Sequence, residues 1–465
     1  MERKIGKATI MIAVLLMSMA LMVNLPTVKA NGTIYIRADG SIDPPTAPIQ
    51  RNGDVYILTD NILTDTNGIV IERNNMTLDG QGYTLQGPQF CLKGIDLSGR
   101  NNITIKNIEI IGFTTASIYA ENSSHIIIFE SNINNGNGII FHGCSNCIIF
   151  RNTLRDNAYT IYFGGSSECD ISENNITSNW YGSVWVSGCA NINISRNNIT
   201  SNFKGISLLS SSNCYVTENL LNNNRYNFDV SGSELGHYLH SVDVSNLVNG
   251  KPVYYYVNQT GLLINSVTHP QVGYLALINC AEIVIEGLIL RDNMQGLLCA
   301  YTNYSIIRHN NITKNNWGIR LYQSSDNEFY QNNIIDNSAT YCNQVLLEQS
   351  FNITWDGGYP SGGNYWSAYS GVDIKKGPNQ DQPGSDGIGD APYVIDANNT
   401  DRYPLMYPYG SSPPPTSALR LKVQPMVQLN LHQEPTHTLR DRLFLSKPYQ
   451  TLPVFLTIGN LTVQT

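Results

Sequence analysis

Charge is scarce in this sequence. Only 14% of its 465 residues are charged, and Asp and Glu outnumber Lys and Arg by 36 to 28. A net charge of −8 gives no electrostatic reason to expect nucleic acid as a partner. Beyond residue 30, methionine is reduced to Met76, Met294, Met406 and Met426, scattered along the chain. Nor does any run after that point have the apolar length needed to span a bilayer. Cysteine stands at nine positions, and an odd number forbids complete intramolecular pairing. The run Cys144-Ser-Asn-Cys147 lacks a second C-x-x-C with which to build a four-thiolate metal site.

What is present instead is one short phrase written many times. An apolar marker recurs at Ile133, Leu154, Ile176, Ile199 and Leu221, at separations of 21, 22, 23 and 22 residues. It returns at Ile312 and Ile334, again 22 apart. A fixed period of this length marks a solenoid. Five residues before each marker stand Ile128, Ile149, Ile171, Ile194, Val216, Ile307 and Phe329, all apolar. Two before stand Ser131, then Asn152, Asn174, Asn197, Asn219, Asn310 and Asn332. Three after stand Gly136, then Asn157, Asn179, Asn202, Asn224, Asn315 and Asn337.

Asn is a poor choice inside a helix, so helical repeats are excluded. It suits corners, because it tolerates the left-handed region and its amide bonds backbone nearby. In coils stacked about 4.8 Å apart, amides can also bond one another up the stack. The pattern predicts an all-β, right-handed parallel β-helix with about three short strands per coil. A second column supports the register: Glu130, Arg151, Glu173, Arg196 and Glu218 alternate in sign at every step. Equivalent residues on neighbouring strands face each other, so alternation attracts where like charges would repel.

The chain divides by composition. Arg3, Lys4 and Lys7 precede an apolar run from Ala8 to Val23, with small residues near Ala30, so residues 1–30 read as a secretory signal cut after Ala30. An uncleaved anchor is the alternative. Residues 31–100 form an N-terminal cap and first coils, and 101–236 carry the repeats. Residues 237–280 interrupt them and read as a projecting β insert, turned at Val248-Asn-Gly-Lys-Pro252. Repeats resume over 281–356, followed by an Asp/Gly-rich cap at 357–410, a Pro-rich linker at 411–416 and a tail at 417–465 without the Asn-rich composition. Cys147, Cys169 and Cys214 share one column, and Cys144 and Cys189 another. Cys147 and Cys169 come within disulfide reach, while small inward thiols filling the core is the competing reading.

The coils, the stretch "SNLVNGKPVYYYVNQ" and the ending "GGNYWSAYSG…DGIGDAPYVID…DRYPLM" together resemble the NosD-like β-helix proteins, an exported, pectin-lyase-like family with archaeal members. The resemblance covers residues 50–408. It implies copper handling beside an ABC transporter, as for the family's namesake. Carbohydrate binding or sugar hydrolysis is implied by other relatives built on the same coil. Function does not transfer with fold, so the residues must be weighed.

Copper needs clustered His, Met or Cys, and His237 and His240 are the nearest local pair. Calcium would use Asp381, Asp386, Asp390 and the carbonyl of Ile388, around Gly387, although no Glu closes the loop. Trp180, Tyr181, Trp185 and Trp317 can stack on sugar rings, with outer-face packing as the alternative. For a polysaccharide lyase or hydrolase the available acids are Asp156, Asp170, Glu173, Asp292, Asp326 and Asp336. They fall in turns or in the charge column, without a paired-Asp or Asp-Pro-His signature. Among the sequons, Asn258 in the insert is the glycosylation candidate. The reading is an exported, non-catalytic scaffold for an extracellular polysaccharide or surface component, with a polysaccharide-acting enzyme and a copper-handling accessory as rivals.

Overall fold

The computed structural model describes residues 28–30, 32–88, 92–337, 344–411, 455–458 and 461–464. Most of the signal segment, most of the Pro-rich linker and tail, and Cys91 and Cys342 lie outside these residues. The chain forms two compact units, residues 1–413 and 414–465. In the second, Phe455–Ile458 pairs antiparallel with Leu461–Gln464.

The first unit is a right-handed parallel β-helix. Each coil runs through three strands, as in Ser124–Phe129, Asn132–Asn134 and Ile139–His142. Each strand pairs in parallel with its counterpart one coil away, so that Ile128 pairs Ile149 and Ile133 pairs Leu154. Stacking gives two ten-stranded sheets and one of fifteen strands. We call them sheet I (containing Ser124–Phe129), sheet II (Asn132–Asn134, the fifteen-stranded one) and sheet III (Ile139–His142). Period-two alternation sends Ile118, Ile139, Ile161, Val184 and Ile206 inward as one fully buried column. At the N-terminal end, two short antiparallel pairs fold back on the stack, Ile42–Asp43 on Ile34–Ile36 and Ile49–Asn52 on Val55–Leu58. Val28–Ala30, just before the expected cleavage point, pairs with Ile62–Thr64 at the edge of sheet II.

The two asparagine columns are buried ladders. Asn152, Asn174, Asn197 and Asn219 are at most 1% exposed, and each accepts the backbone N–H of its neighbour one coil back. The second corner repeats the arrangement through Asn157, Asn179, Asn202 and Asn224. The left-handed conformation expected of Asn falls instead on the residue before it, as at Arg151 (φ 53°), Glu173 (54°) and Arg196 (54°). The reason is directional: an amide that satisfies buried backbone must point inward, which turns the preceding residue outward at the bend. The alternating charges therefore stand exposed at those bends, with Glu173 between Arg151 at 2.7 Å and Arg196 at 3.5 Å. Exposed pairs of this kind help register more than stability.

Residues 237–280 do not project. Leu247–Val248 turns through Asn249 (φ 50°) and Gly250 (φ 75°) into antiparallel pairing with Lys251–Val257. An Asn-Gly pair supplies the two positive φ values a tight hairpin needs. The hairpin lets sheet II continue into a second stack through Tyr274–Ile278, Gln295–Ala300, Trp317–Tyr322 and Val345–Glu348. The first three of these strands are buried on both faces, and Val345–Glu348 is half-buried at the edge. Leu275, Leu277, Leu297 and Leu321 fill the second stack, whereas Tyr274, Ala276, Ile278 and Leu298 join the core of the first, beside Phe228 and Tyr238. The second stack thus covers the open end of the first, and burying that apolar end is what draws the insert inward.

The end of the second stack is closed by residues 355–411. Trp355 stacks on Phe329 at 4.8 Å and Trp366 on Tyr393 at 4.5 Å. Buried Asp401 accepts N–H groups from Asn364, Trp366 and Tyr403 at 2.7, 2.8 and 3.1 Å.

Candidate functional site

The outer face of sheet III gathers aromatic side chains. Because Ile118, Ile139, Ile161 and Val184 point inward, the residues after them point outward: Tyr119, Ile140, Tyr162 and Trp185 pair in register, one per coil. His142 and Tyr159 flank them. Ring centroids lie 6.0 Å apart for Tyr119 and His142, 5.3 Å for His142 and Tyr162, and 6.3 Å for Tyr162 and Trp185. Tyr159 links Trp185, at 5.5 Å, to Tyr181, on which it stacks at 5.3 Å. At Gly164 a Cβ would stand about 3.0 Å from both His142 Nδ1 and the Tyr162 hydroxyl, so glycine is what lets these rings close over the strand.

Charge frames the row. Lys93 Nζ sits 3.7 Å from the Tyr119 ring and Lys204 Nζ 5.3 Å from that of Trp185. Asp96 and Asp229 already have partners. Asp96 is opposed by burial, yet Lys93 at 2.8 Å and Ser98 hold its carboxyl below the usual range. Asp229 accepts from Gln295 Nε2 at 2.9 Å and Lys204 Nζ at 3.3 Å. Burial and the Glu121 carboxylate raise the Tyr119 phenol. Trp180 (73% exposed) and Tyr181 (56%) stand at the next corner and line, with Tyr159 and Asp156, a shallow cleft of about 490 Å³.

Three of the four aromatics picked from sequence are therefore brought together, and Trp317 is not. It lies on Trp317–Tyr322 of the second stack, 6.0 Å from the Arg320 guanidinium. Tyr119, His142, Tyr159 and Tyr162 were missed. The signal was available, because they occupy the outward positions between the buried ones.

The metal candidates are not assembled. His240 is buried, with Nδ1 accepting the Cys214 N–H at 3.3 Å and Nε2 on the His237 carbonyl at 3.1 Å. His237 Nδ1 accepts from Ser233 N–H at 3.2 Å. Neither ring offers copper a convergent lone pair. Asp386 accepts Gly377 N–H and Ile388 N–H, both at 3.1 Å, and Asp390 accepts Ile374 and Lys375 N–H groups. Asp381 is exposed, and Ile388 bridges Leu405 in the cap. The acids brace turns instead of converging on calcium, and no group of three His, Cys, Asp or Glu suited to a metal occurs among the described residues.

The seven described cysteines are buried thiols, including Cys147, whose N–H lies 3.4 Å from Cys169 Sγ. Of the acids considered for catalysis, Asp170 bonds Ser172 and Asn193, and Glu173 bonds Arg151. Asp326 accepts from Asn352 at 3.3 Å, and Asp292 from Arg291 at 2.7 Å. Asn258 is exposed, with its Oδ1 accepting from Asn279 at 2.7 Å.

Comparison with known proteins gives two family models. Residues 93–241 match the right handed beta helix region, and residues 207–371 match the periplasmic copper-binding protein (NosD). No curated protein matches the sequence. Among solved structures, a mutant periplasmic alginate epimerase is 11% identical over 70% of this chain and 85% of its own, with a TM-score of 0.35. The mannuronan C-5 epimerase A-module of Azotobacter vinelandii is 16% identical over 71% and 74%, TM-score 0.24. The catalytic domain of an alpha-1,3-glucanase in complex with nigerose is 14–15% identical over 74% and 64%, TM-score 0.31. Among the described residues, no helix is long and apolar enough to cross a membrane.

Proposed function

We propose that this chain, a NosD-like right-handed parallel β-helix protein, works outside the cytoplasm as a non-catalytic scaffold holding a carbohydrate polymer on the outer face of sheet III. The observation that carries this reading is the row of rings from Tyr119 through His142 and Tyr162 to Trp185, continued by Tyr159 and Tyr181. Aromatic faces pack the C–H faces of sugar rings, and flanking polar groups take the hydroxyls. Trp180 at 73% exposure supports it, since an exposed Trp beside further rings marks a contact surface better than a core. Asp96 and Asp229, the acids beside the ring row, are already engaged, which favours holding over cleaving.

A glycan array followed by calorimetry on the best ligand tests this reading. Trp185→Ala and Tyr181→Ala are expected to weaken binding by about tenfold or more, at about 1–3 kcal/mol per lost stacking partner. A reducing-sugar assay on the same ligand is expected to stay flat. Unchanged affinity in both variants would sink the assignment of the face, and release of reducing ends would sink the non-catalytic part.

A further inference from the structure

A second concave site lies where the two stacks meet. One cleft of about 460 Å³ is lined by Asn223, Asn249, Lys251, Arg291 and Asp292, over an apolar floor of Val248 and Val272. A neighbouring one of about 340 Å³ is lined by Arg225, Tyr226, Asp292, Lys314 and Asp336. Asp292 lines both, so the two adjoin.

The elbow is held rigidly. Asn227 donates its backbone N–H and its Nδ2 to the Asp292 carbonyl, at 3.0 and 2.8 Å, joining the end of the first stack to a corner of the second. Asn249 Oδ1 accepts the Asn223 N–H at 2.9 Å, and Asn249 N–H bonds the Leu221 carbonyl at 2.9 Å. A cleft formed at such a junction and fixed by main-chain bonds is preorganised for a ligand.

Its charge runs against the molecule as a whole. In a chain of net charge −8, Arg225, Lys251, Arg291 and Lys314 converge here against Asp292 and Asp336. Asp292 is matched by Arg291 at 2.7 Å. No ion pair among the described residues engages Arg225, Lys251 or Lys314. Arg225 is instead laid over the rings of Phe203 and Tyr226, at 5.3 and 5.4 Å, which orients its planar fork. Lys314 occupies the same corner column as Asp292 and Asp336, at φ values of 57°, 64° and 50°.

We infer that the elbow cleft binds a saccharide bearing an anionic group, with Arg225, Lys251 and Lys314 taking the anion and Asn223 and Asn249, together with Asn222 of the same lining, the hydroxyls. Three unpaired cations match an anion, which charge-assisted bonds hold most strongly. A row of neutral amides over an apolar floor matches a sugar ring better than a bare ion. The site shares no residue with the aromatic face, so it stands or falls separately.

The test is calorimetric titration of the full-length protein with four probes. These are a uronic-acid tetrasaccharide, a sulfated tetrasaccharide, the neutral tetrasaccharide of the same linkage, and inorganic phosphate. Binding of either acidic saccharide, weakening as salt rises and at least about tenfold tighter than the neutral one, is the expected result. Lys251→Ala with Lys314→Ala, and separately Arg225→Gln, are expected to lower that affinity about tenfold. Trp185→Ala should leave it unchanged. Equal binding of the neutral sugar, equal binding of phosphate alone, indifference to the cleft variants, or loss in Trp185→Ala would each overturn the proposal. All three cleft positions are solvent-accessible, and a circular-dichroism melt of each variant verifies that the fold is kept.

Discussion

Asn174 gives two hydrogen bonds to a single atom of Asn197: its backbone N–H and its Nδ2 each lie 3.0 Å from Asn197 Oδ1. Asn197 Nδ2 in turn serves the carbonyls of Ile171, at 2.8 Å, and Ser195, at 3.1 Å. One side chain therefore satisfies backbone from two coils at a corner where no strand can do so. Asn197→Ala should cost about 2–4 kcal/mol, because the Asn174 N–H and two carbonyls lose their partner inside the protein. The exposed neighbour Asn198→Ala should change stability by no more than about 0.5 kcal/mol. Denaturant midpoints of the two variants check this, and equal shifts would refute the ladder's role.

Two buried titratable groups give opposite pH slopes. Burial pushes His240 down to about 4, and its Nδ1 must stay unprotonated to accept the Cys214 N–H. The unfolded ring binds its proton near 6.5, so this contribution is present above pH 6.5 and is lost as pH falls toward 4, by at most about 3 kcal/mol. Burial raises Asp401 from 3.8 to about 7, against three N–H donors that favour its charged form. Its contribution is present below 3.8 and is lost as pH rises through 7. The two partly cancel in the native protein. Stability against pH should tilt one way in His240→Gln and the other in Asp401→Asn, and parallel curves would contradict both assignments.

Stability and contact should separate among the tryptophans. Trp366 is 1% exposed, stacks on Tyr393 and donates to Asp401 at 2.8 Å, so Trp366→Ala should cost about 3–5 kcal/mol. Trp180 is 73% exposed, and Trp180→Ala should leave the melting temperature within a degree or so while weakening glycan binding. A large drop in melting temperature for Trp180→Ala would make it a packing residue.

The stacked thiols should be inert in the native state. Burial pushes Cys189 up to about 11 and Cys214 up to about 12, and the thiolate is the reactive form. Iodoacetamide followed by peptide mass spectrometry should label Cys189 and Cys214 only after denaturation. A disulfide-linked Cys147–Cys169 peptide would contradict their description as free core thiols.

Much of this molecule was legible along the chain. The period, the inward apolar columns and the Asn ladders follow from local spacing, because a stacked coil places residues one period apart in contact. The alternation of Glu130, Arg151, Glu173 and Arg196 was readable for the same reason, and Glu173 does lie between its two arginines. Where Asn246 and Asn364 extend the ladders, the spacing from the previous rung is 27 and 32 residues, so periodicity alone passed over them. The aromatic face was half legible: Trp180, Tyr181 and Trp185 stood out by residue type, whereas Tyr119 and Tyr162 belong to it only through register.

What the order of residues determined by itself is the coil, since each contact that builds it joins neighbours one period apart. Tertiary structure alone decided the elbow, where Asn227 meets Asp292 across 65 residues and the strands Tyr274–Ile278 and Gln295–Ala300 bury both faces. No local pattern encodes that contact. It exists because the first stack ends in an apolar surface, and the nearest surface able to keep water from it is the second stack's own wall.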